Sequence, residues 1–150
     1  MTERLSPEAF IAQAHTRIRE TFIDLVGVRL IEVSNERAIA EMAFTENLRQ
    51  LTGVFHAGAL ITLADTTATF ACLYWLNGAL NGPQTPFPFT IQLSTNFLRN
   101  TGDGTVRAEA VPVHRGRTTQ VVETRVTDAN QRLLIVVTTT HLVVGNEPSR

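Results

Sequence analysis

The stretch FHAGALITLADTTATF, residues 55–70, decides how this chain folds. It is apolar and rich in Ala, Leu and Thr, opens with His56 and Gly58, and carries Asp65 in its middle. Asp65 is the sole carboxylate between Glu46 and Asp103, and nothing about folding alone asks for it. The apolar run continues to about residue 76, ahead of Gly78 and Asn81-Gly82. That is too long for a strand, so residues 56–76 are predicted to be helical despite their threonines, because burial overrides weak propensity. A helix that is apolar nearly all round is a buried one.

Working outward, Ser6, Pro7 and Glu8 form a helix start of cap, first position and acidic first turn. Phe10, Ile11, Ala14, Ile18, Phe22 and Leu25 then recur at helical spacing up to Gly27. One amphipathic helix is predicted over about 6–26, with these residues on its buried face. Residues 28–44 read as two short strands around Ser34-Asn35-Glu36. After the long helix, Phe87, Phe89, Ile91, Leu93 and Phe97 alternate with Thr90, Gln92, Ser94 and Asn96, which predicts a strand with two distinct faces. Three further strands follow, turning at 100–104, at His114-Arg115-Gly116-Arg117 and at Asp128-Ala129-Asn130-Gln131. Pro112 marks an edge or a bulge. These last four strands are expected to form a meander. Antiparallel strands joined by short turns need an apolar cover, and the long helix is the one candidate. The expected architecture is α+β: a curved antiparallel sheet wrapped around one buried helix, with an extra N-terminal helix.

Composition narrows the function. The 150 residues suit a single domain, 1–150, with its core over about 27–145. Net charge is −1 and there is no basic stripe, so a nucleic-acid partner is not expected. The 13 basic residues are all Arg, which fits a compositional bias better than a phosphate-gripping design. Asp65 interrupts the one run long enough to suggest a membrane span, and the N-terminus reads as no export signal, so a cytoplasmic setting without membrane attachment is expected. Cys72 is the single cysteine, with no partner for a disulfide and a place on the buried helix where a thiol is inert. No paired histidines stand at metal-ligand spacing; His15 is expected in solvent, His114 in a turn and His141 in the last strand. No metal is expected.

Chemistry centres on the long helix. The first amides of a helix lack internal partners and carry partial positive charge, so those of Ala57 and Gly58 are candidate oxyanion donors. His56 and Asp65 lie nine positions apart, about 13.5 Å of rise and half a turn out of phase. Asp65 therefore cannot serve a group bound at its own helix start. If the two ends cooperate, the acid comes from a second copy with its helix antiparallel, and a homodimer is the catalytic unit. Thr62 and Thr69 lie at i−3 and i+4 from Asp65, and in a structural reading they would satisfy its carboxylate together with backbone amides. Such an acid is either a structural group sealed by hydroxyls or a functional one.

The stretch from Gln50 through His56, Ala57-Gly58 and Asp65 resembles the central motif of hotdog-fold acyl-CoA thioesterases of the phenylacetate-pathway group, within the 4-hydroxybenzoyl-CoA thioesterase superfamily. That motif runs Asn or Gln, six residues to His, then Gly-Gly, with an acid nine residues after the His. The resemblance covers roughly residues 25–145. It implies an acyl-CoA thioester as substrate, with coenzyme A entering only as part of it and no other cofactor. It implies Asp65 as general base or nucleophile, the Ala57 amide with Gly58 polarising the carbonyl, and Gln50 placing the carbonyl or the water. Thr69 and Thr90 would orient carboxylate or water, and His56 would cap locally or touch the thioester. Arg115, Gly116 and Arg117 would meet the CoA phosphates, and Phe55 would line the acyl site. Ala57 departs from the family's usual Gly. A homodimer, and a homotetramer built from it, are the implied assemblies. Two other readings share the fold: a non-catalytic acyl-CoA-binding module, and a hydratase or dehydratase.

Overall fold

The structure is a computed structural model that describes residues 4–76, 80 and 86–145. Helices α1 (Pro7–Arg17) and α2 (Phe22–Val26) precede strands β1 (Arg29–Val33) and β2 (Ala38–Ala43). The long helix α3 (Ala57–Trp75) follows, then β3 (Phe87–Phe97), β4 (Thr105–Arg115), β5 (Thr119–Thr127) and β6 (Leu133–Val144). All six strands form one antiparallel sheet in the order β1-β2-β4-β5-β6-β3. The α+β architecture expected from the sequence is the one observed. Helix α3 packs against every strand of the curved sheet. Its first half, with Leu60 and Leu63, meets Met42, Val106 and Ile135, and its second half, with Ala68 and Leu73, meets Phe10, Leu30 and Val122. By length and composition α3 could cross a membrane, but it is the buried core helix of this sheet.

Four sequence expectations are corrected. The helix over 6–26 is two helices. The chain turns at residues 18–21, where Glu20 takes a positive φ of 63°, a conformation that costs a non-glycine residue about 1–2 kcal/mol. Asp24 offsets this by accepting the Glu20 amide at 3.0 Å. The turn lets α1 bury Phe10 and Ala14 against β1, while α2 swings across α3 and leaves Phe22 62% and Leu25 82% exposed. His15 is not free in solvent either: its Nε2 donates to the Leu30 carbonyl at 2.9 Å.

The last four strands are not a simple meander. Strand β3 pairs with β6, and β4 lies three places away beside β2. At about 4.8 Å per strand that is roughly 14 Å, which the seven residues 98–104 span easily at about 3.3 Å each. This crossover is fixed to the loop before α3. Phe55 donates its amide to the Thr101 carbonyl at 2.9 Å, and Asn100 Nδ2 donates to the Phe55 carbonyl at 2.8 Å. Gly102 lies so close that a Cβ on it would stand 2.5 Å from the Gly53 oxygen. The glycines of this segment serve close approach as well as turning.

Strand β3 does not keep one alternation along its length. Ile91 is bulged out of the β3–β6 ladder, where the register passes from Thr90↔His141 to Gln92↔Thr140. Pro88 and Thr90 face α3 before the bulge, and Leu93 does so after it. Phe87, Phe89 and Ile91 therefore do not share a face with Leu93, as strict alternation predicts. Pro112 does sit at a bulge, where the β4–β5 register shifts between Pro112 and His114, beyond the last β2–β4 pair at Ala110.

Candidate active site

The site is built on one face of α3 and the start of β3. His56 caps the helix, its Nδ1 accepting the Gly58 amide at 2.9 Å. Gly58 permits this, because a Cβ there would stand 3.0 Å from that same Nδ1. Of the two amides proposed as oxyanion donors, Gly58's is thus occupied by the cap. No hydrogen bond engages the Ala57 amide among the described residues, and Ala57 is exposed. Ala57 lies in the helix without a positive φ, which among the described non-glycine residues only Glu20 and Gln131 take. Its methyl therefore adds no backbone strain at the helix start.

Asp65 lies about 12 Å further along the helix axis, at 1.5 Å per residue. It is half-buried, and the hydroxyl that reaches its carboxylate comes from the sheet: Thr90 Oγ1 donates to Asp65 Oδ1 at 2.7 Å. The two helical threonines that would do this in a structural reading point their protons elsewhere. Thr62 donates to the Gly58 carbonyl at 2.8 Å, and Thr69 to the main-chain carbonyl of Asp65 at 2.9 Å. A helical hydroxyl at i reaches the i−4 carbonyl more easily than a side chain on its own face.

Behind Thr90 lies a residue that the sequence reading left unassigned. His141, fully buried, places Nδ1 3.3 Å from Thr90 Oγ1 and Nε2 2.8 Å from Thr139 Oγ1. Burial lowers its pKa from the ordinary histidine value, against smaller upward pulls from Asp65 and from the Pro88 main chain. Its sequence signal was present but faint: a histidine on the inward phase of a strand otherwise filled by Val, Ile and Thr.

Asp65 and Thr90 open onto a cavity of about 750 Å³. Helix α3 supplies Ile61, Thr62, Thr69 and Leu73 to its wall, α2 supplies Phe22 and Ile23, and β3 supplies Phe87, Phe89 and Leu93. The sequence did not point to α2, because its contribution depends on the break after α1.

The remaining expected site residues are dispersed. Gln50 lies in the loop closed by the Arg49–Phe55 bridge, beside the start of α3, which the His56 amide ties to the Leu48 carbonyl at 2.8 Å. Phe55 does not line the cavity: it is wholly buried and meets Phe44 edge-on at 5.0 Å. Arg115, Gly116 and Arg117 form the β4–β5 turn at the far end of α3. There the Arg115 guanidinium lies 4.3 Å over the Trp75 ring, and burial, then Arg4 nearby, lowers its pKa. Burial pushes the Cys72 thiol up to about 12, so it is unreactive at neutral pH. Among the described residues no three His, Cys, Asp or Glu side chains converge as a metal site requires.

A curved antiparallel sheet wrapped round one long helix is the fold of the hotdog thioesterases, and here that helix carries an acid in the wall of a largely apolar cavity. A family model described as the thioesterase superfamily matches residues 52–135, and the chain belongs to that superfamily. The 1,4-dihydroxy-2-naphthoyl-CoA hydrolase of Listeria monocytogenes is 26% identical over 113 residues, 75% of this chain and 87% of that one. Two solved structures share the fold. A thioesterase of Haemophilus influenzae superposes with a TM-score of 0.82 at 21% identity, covering 99% of this chain and 97% of that one. The Escherichia coli PaaI protein of the phenylacetic acid degradation operon superposes with a TM-score of 0.78 at 22% identity, covering 93% and 97%.

Proposed function

We propose that the chain hydrolyses a small, medium-chain or aryl acyl-CoA to the free acid and coenzyme A, at a site shared by two copies. The observation that carries this reading is the Asp65 carboxylate, held at one oxygen by Thr90 in the wall of a largely apolar cavity that also holds Arg17 and four further threonines. A structural acid has no need of such an opening. In the proposed reaction Asp65 takes a proton from water as its oxygen bonds to the thioester carbon. The C–S bond then breaks and the thiolate recovers that proton. In the variant with Asp65 as nucleophile, its oxygen attacks the thioester carbon, the C–S bond breaks to release the coenzyme A thiolate, and water opens the resulting mixed anhydride to the free acid and the Asp65 carboxylate. The carbonyl oxygen, negative in the transition state, sits at the Ala57 amide of the second copy, with Gln50 beside it.

Two features support the shared site. The Ala57 amide and Asp65 of one helix are about 12 Å apart along its axis, too far to act on one carbonyl. Strand β3, eleven residues long, is an outer edge of the sheet and exposes Phe87, Phe89 and Ile91 beside the cavity. A long apolar edge of this kind invites a partner strand. A second β3 running antiparallel would continue the sheet and bring the two α3 helices antiparallel. Pairing of dimers into a tetramer, and a cytoplasmic setting consistent with one unpaired cysteine, complete the reading.

The test is thiol release from a panel of short, medium, long and aryl acyl-CoAs, followed with a disulfide reagent. Wild type is expected to turn over at least one class, and Asp65→Asn and Asp65→Ala to fold normally with no turnover. Turnover by either variant at the wild-type rate removes Asp65 from the mechanism.

A further inference from the structure

We propose that His141 is a positioning residue of this site: it holds the Thr90 hydroxyl in the one orientation that aims the Asp65 carboxylate. The inference rests on the hydrolase reading above.

The hydroxyl and ring protons can be counted. Thr90 has a single hydroxyl proton, and gives it to Asp65 Oδ1 at 2.7 Å, a carboxylate oxygen that can only accept. At its contact with His141 Nδ1, 3.3 Å away, Thr90 must therefore accept, so Nδ1 carries the ring proton. A buried neutral imidazole has one proton, so Nε2 is bare and accepts from Thr139 Oγ1 at 2.8 Å. The four groups make a one-way chain from Thr139 through His141 and Thr90 to Asp65.

The opposite tautomer would undo it. With the proton on Nε2, Nδ1 becomes an acceptor and competes with Asp65 for the Thr90 hydroxyl. Thr139, two residues before His141 on the same face of β6, selects the tautomer by presenting its own proton to Nε2. The fold enforces the alignment. Thr90 and His141 are direct partners in the β3–β6 register, and the bulge at Ile91 immediately follows. That bulge lets β3 turn Thr90 inward here and Leu93 inward further on. The ring has no exposed surface, so it meets no substrate and acts only through Thr90.

Two readouts test this on the full chain. Nitrogen NMR of the His141 ring in wild type near neutral pH should show Nδ1 protonated and Nε2 bare; a proton on Nε2, alone or with Nδ1, overturns the proposal. In kinetics, His141→Leu should lower kcat about tenfold, equivalent to about 1.4 kcal/mol of barrier, with KM changed less than about twofold. His141→Asn, whose side-chain amide N–H stands where Nδ1–H stood, should recover to within about threefold of wild type. Wild-type kcat in His141→Leu, or no recovery in His141→Asn, overturns the proposal. Combining His141→Leu with Thr90→Val should slow the enzyme no more than Thr90→Val does alone, because both break one chain; independent losses refute the coupling. Should His141→Leu fail to fold, the ring tautomer and the His141→Asn kinetics still decide. If wild type hydrolyses no acyl-CoA, the hydrolase reading fails on its own, and the NMR result judges the chain separately.

Discussion

Replacing Thr90 by Val keeps the shape of the side chain and removes one hydroxyl. Among the described residues that hydroxyl is the only side-chain donor to the Asp65 carboxylate, at 2.7 Å. A hydrogen bond to a charged group is worth roughly 1.5–3 kcal/mol. Asp65 is half-buried, so water can take part of the place of Thr90, and the lower part of the range applies, about 1.5–2 kcal/mol. At about 1.36 kcal/mol per decade, kcat should fall roughly ten- to thirty-fold if the whole effect is felt in the transition state. Thr69→Val supplies the contrast. Its hydroxyl bonds the main-chain carbonyl of Asp65, so its loss leaves the carboxylate's own partner in place, and its effect should be at least about fivefold smaller. Both variants are measured by initial rates of thiol release at saturating acyl-CoA, with thermal melts to show that they fold. A Thr90→Val enzyme within about twofold of wild-type kcat, or a Thr69→Val enzyme impaired as much as Thr90→Val, refutes the idea that the strand hydroxyl aims the acid.

Other expectations follow from the same geometry. His141 titrates below its ordinary value of about 6.5 in the folded chain and at that value in the unfolded one. The unfolded state therefore binds the extra proton first. The stability contribution is complete above about pH 6.5 and is lost as pH falls from there towards the folded value. Melting temperatures between about pH 7.5 and 5.5 should decline more steeply in wild type than in His141→Asn, and equal slopes would contradict this. Phe55→Ala should lower the unfolding free energy by about 3–5 kcal/mol in a denaturant titration, as expected of a core aromatic; an unchanged midpoint with altered acyl preference would return Phe55 to the substrate site. Ile91→Arg places a charge on the outer β3 edge, and light scattering should then report a single-chain mass together with lost thiol release. An active variant that still runs as a dimer argues against pairing through β3.

Much of the fold was legible because periodicity reports burial directly. An apolar run of helical length, followed by alternating strands with turn residues between them, left one way to cover the sheet. The acid stood out for the same reason: Asp65 is a lone carboxylic acid inside the most apolar segment of the chain. The distance between Ala57 and Asp65 follows from helix rise alone, and with it the proposal that a second copy completes the site. Local pattern failed where partners are distant in sequence. Glu20 in a left-handed turn carries no strong signature, so α1 and α2 merged into one helix. The bulge at Ile91 is invisible to alternation, and with it the reason why Thr90 faces the core. That Thr90 rather than Thr69 reaches Asp65, and that His141 stands behind it, depends on pairing across 51 positions of chain. Which hydroxyl meets which carboxylate is set by the register of β3 on β6 and by the side of the sheet that α3 covers. Sequence determined the acid and the helix that carries it; the long-range pairing of strands determined what the acid is bonded to, because register is a property of two segments and not of either one.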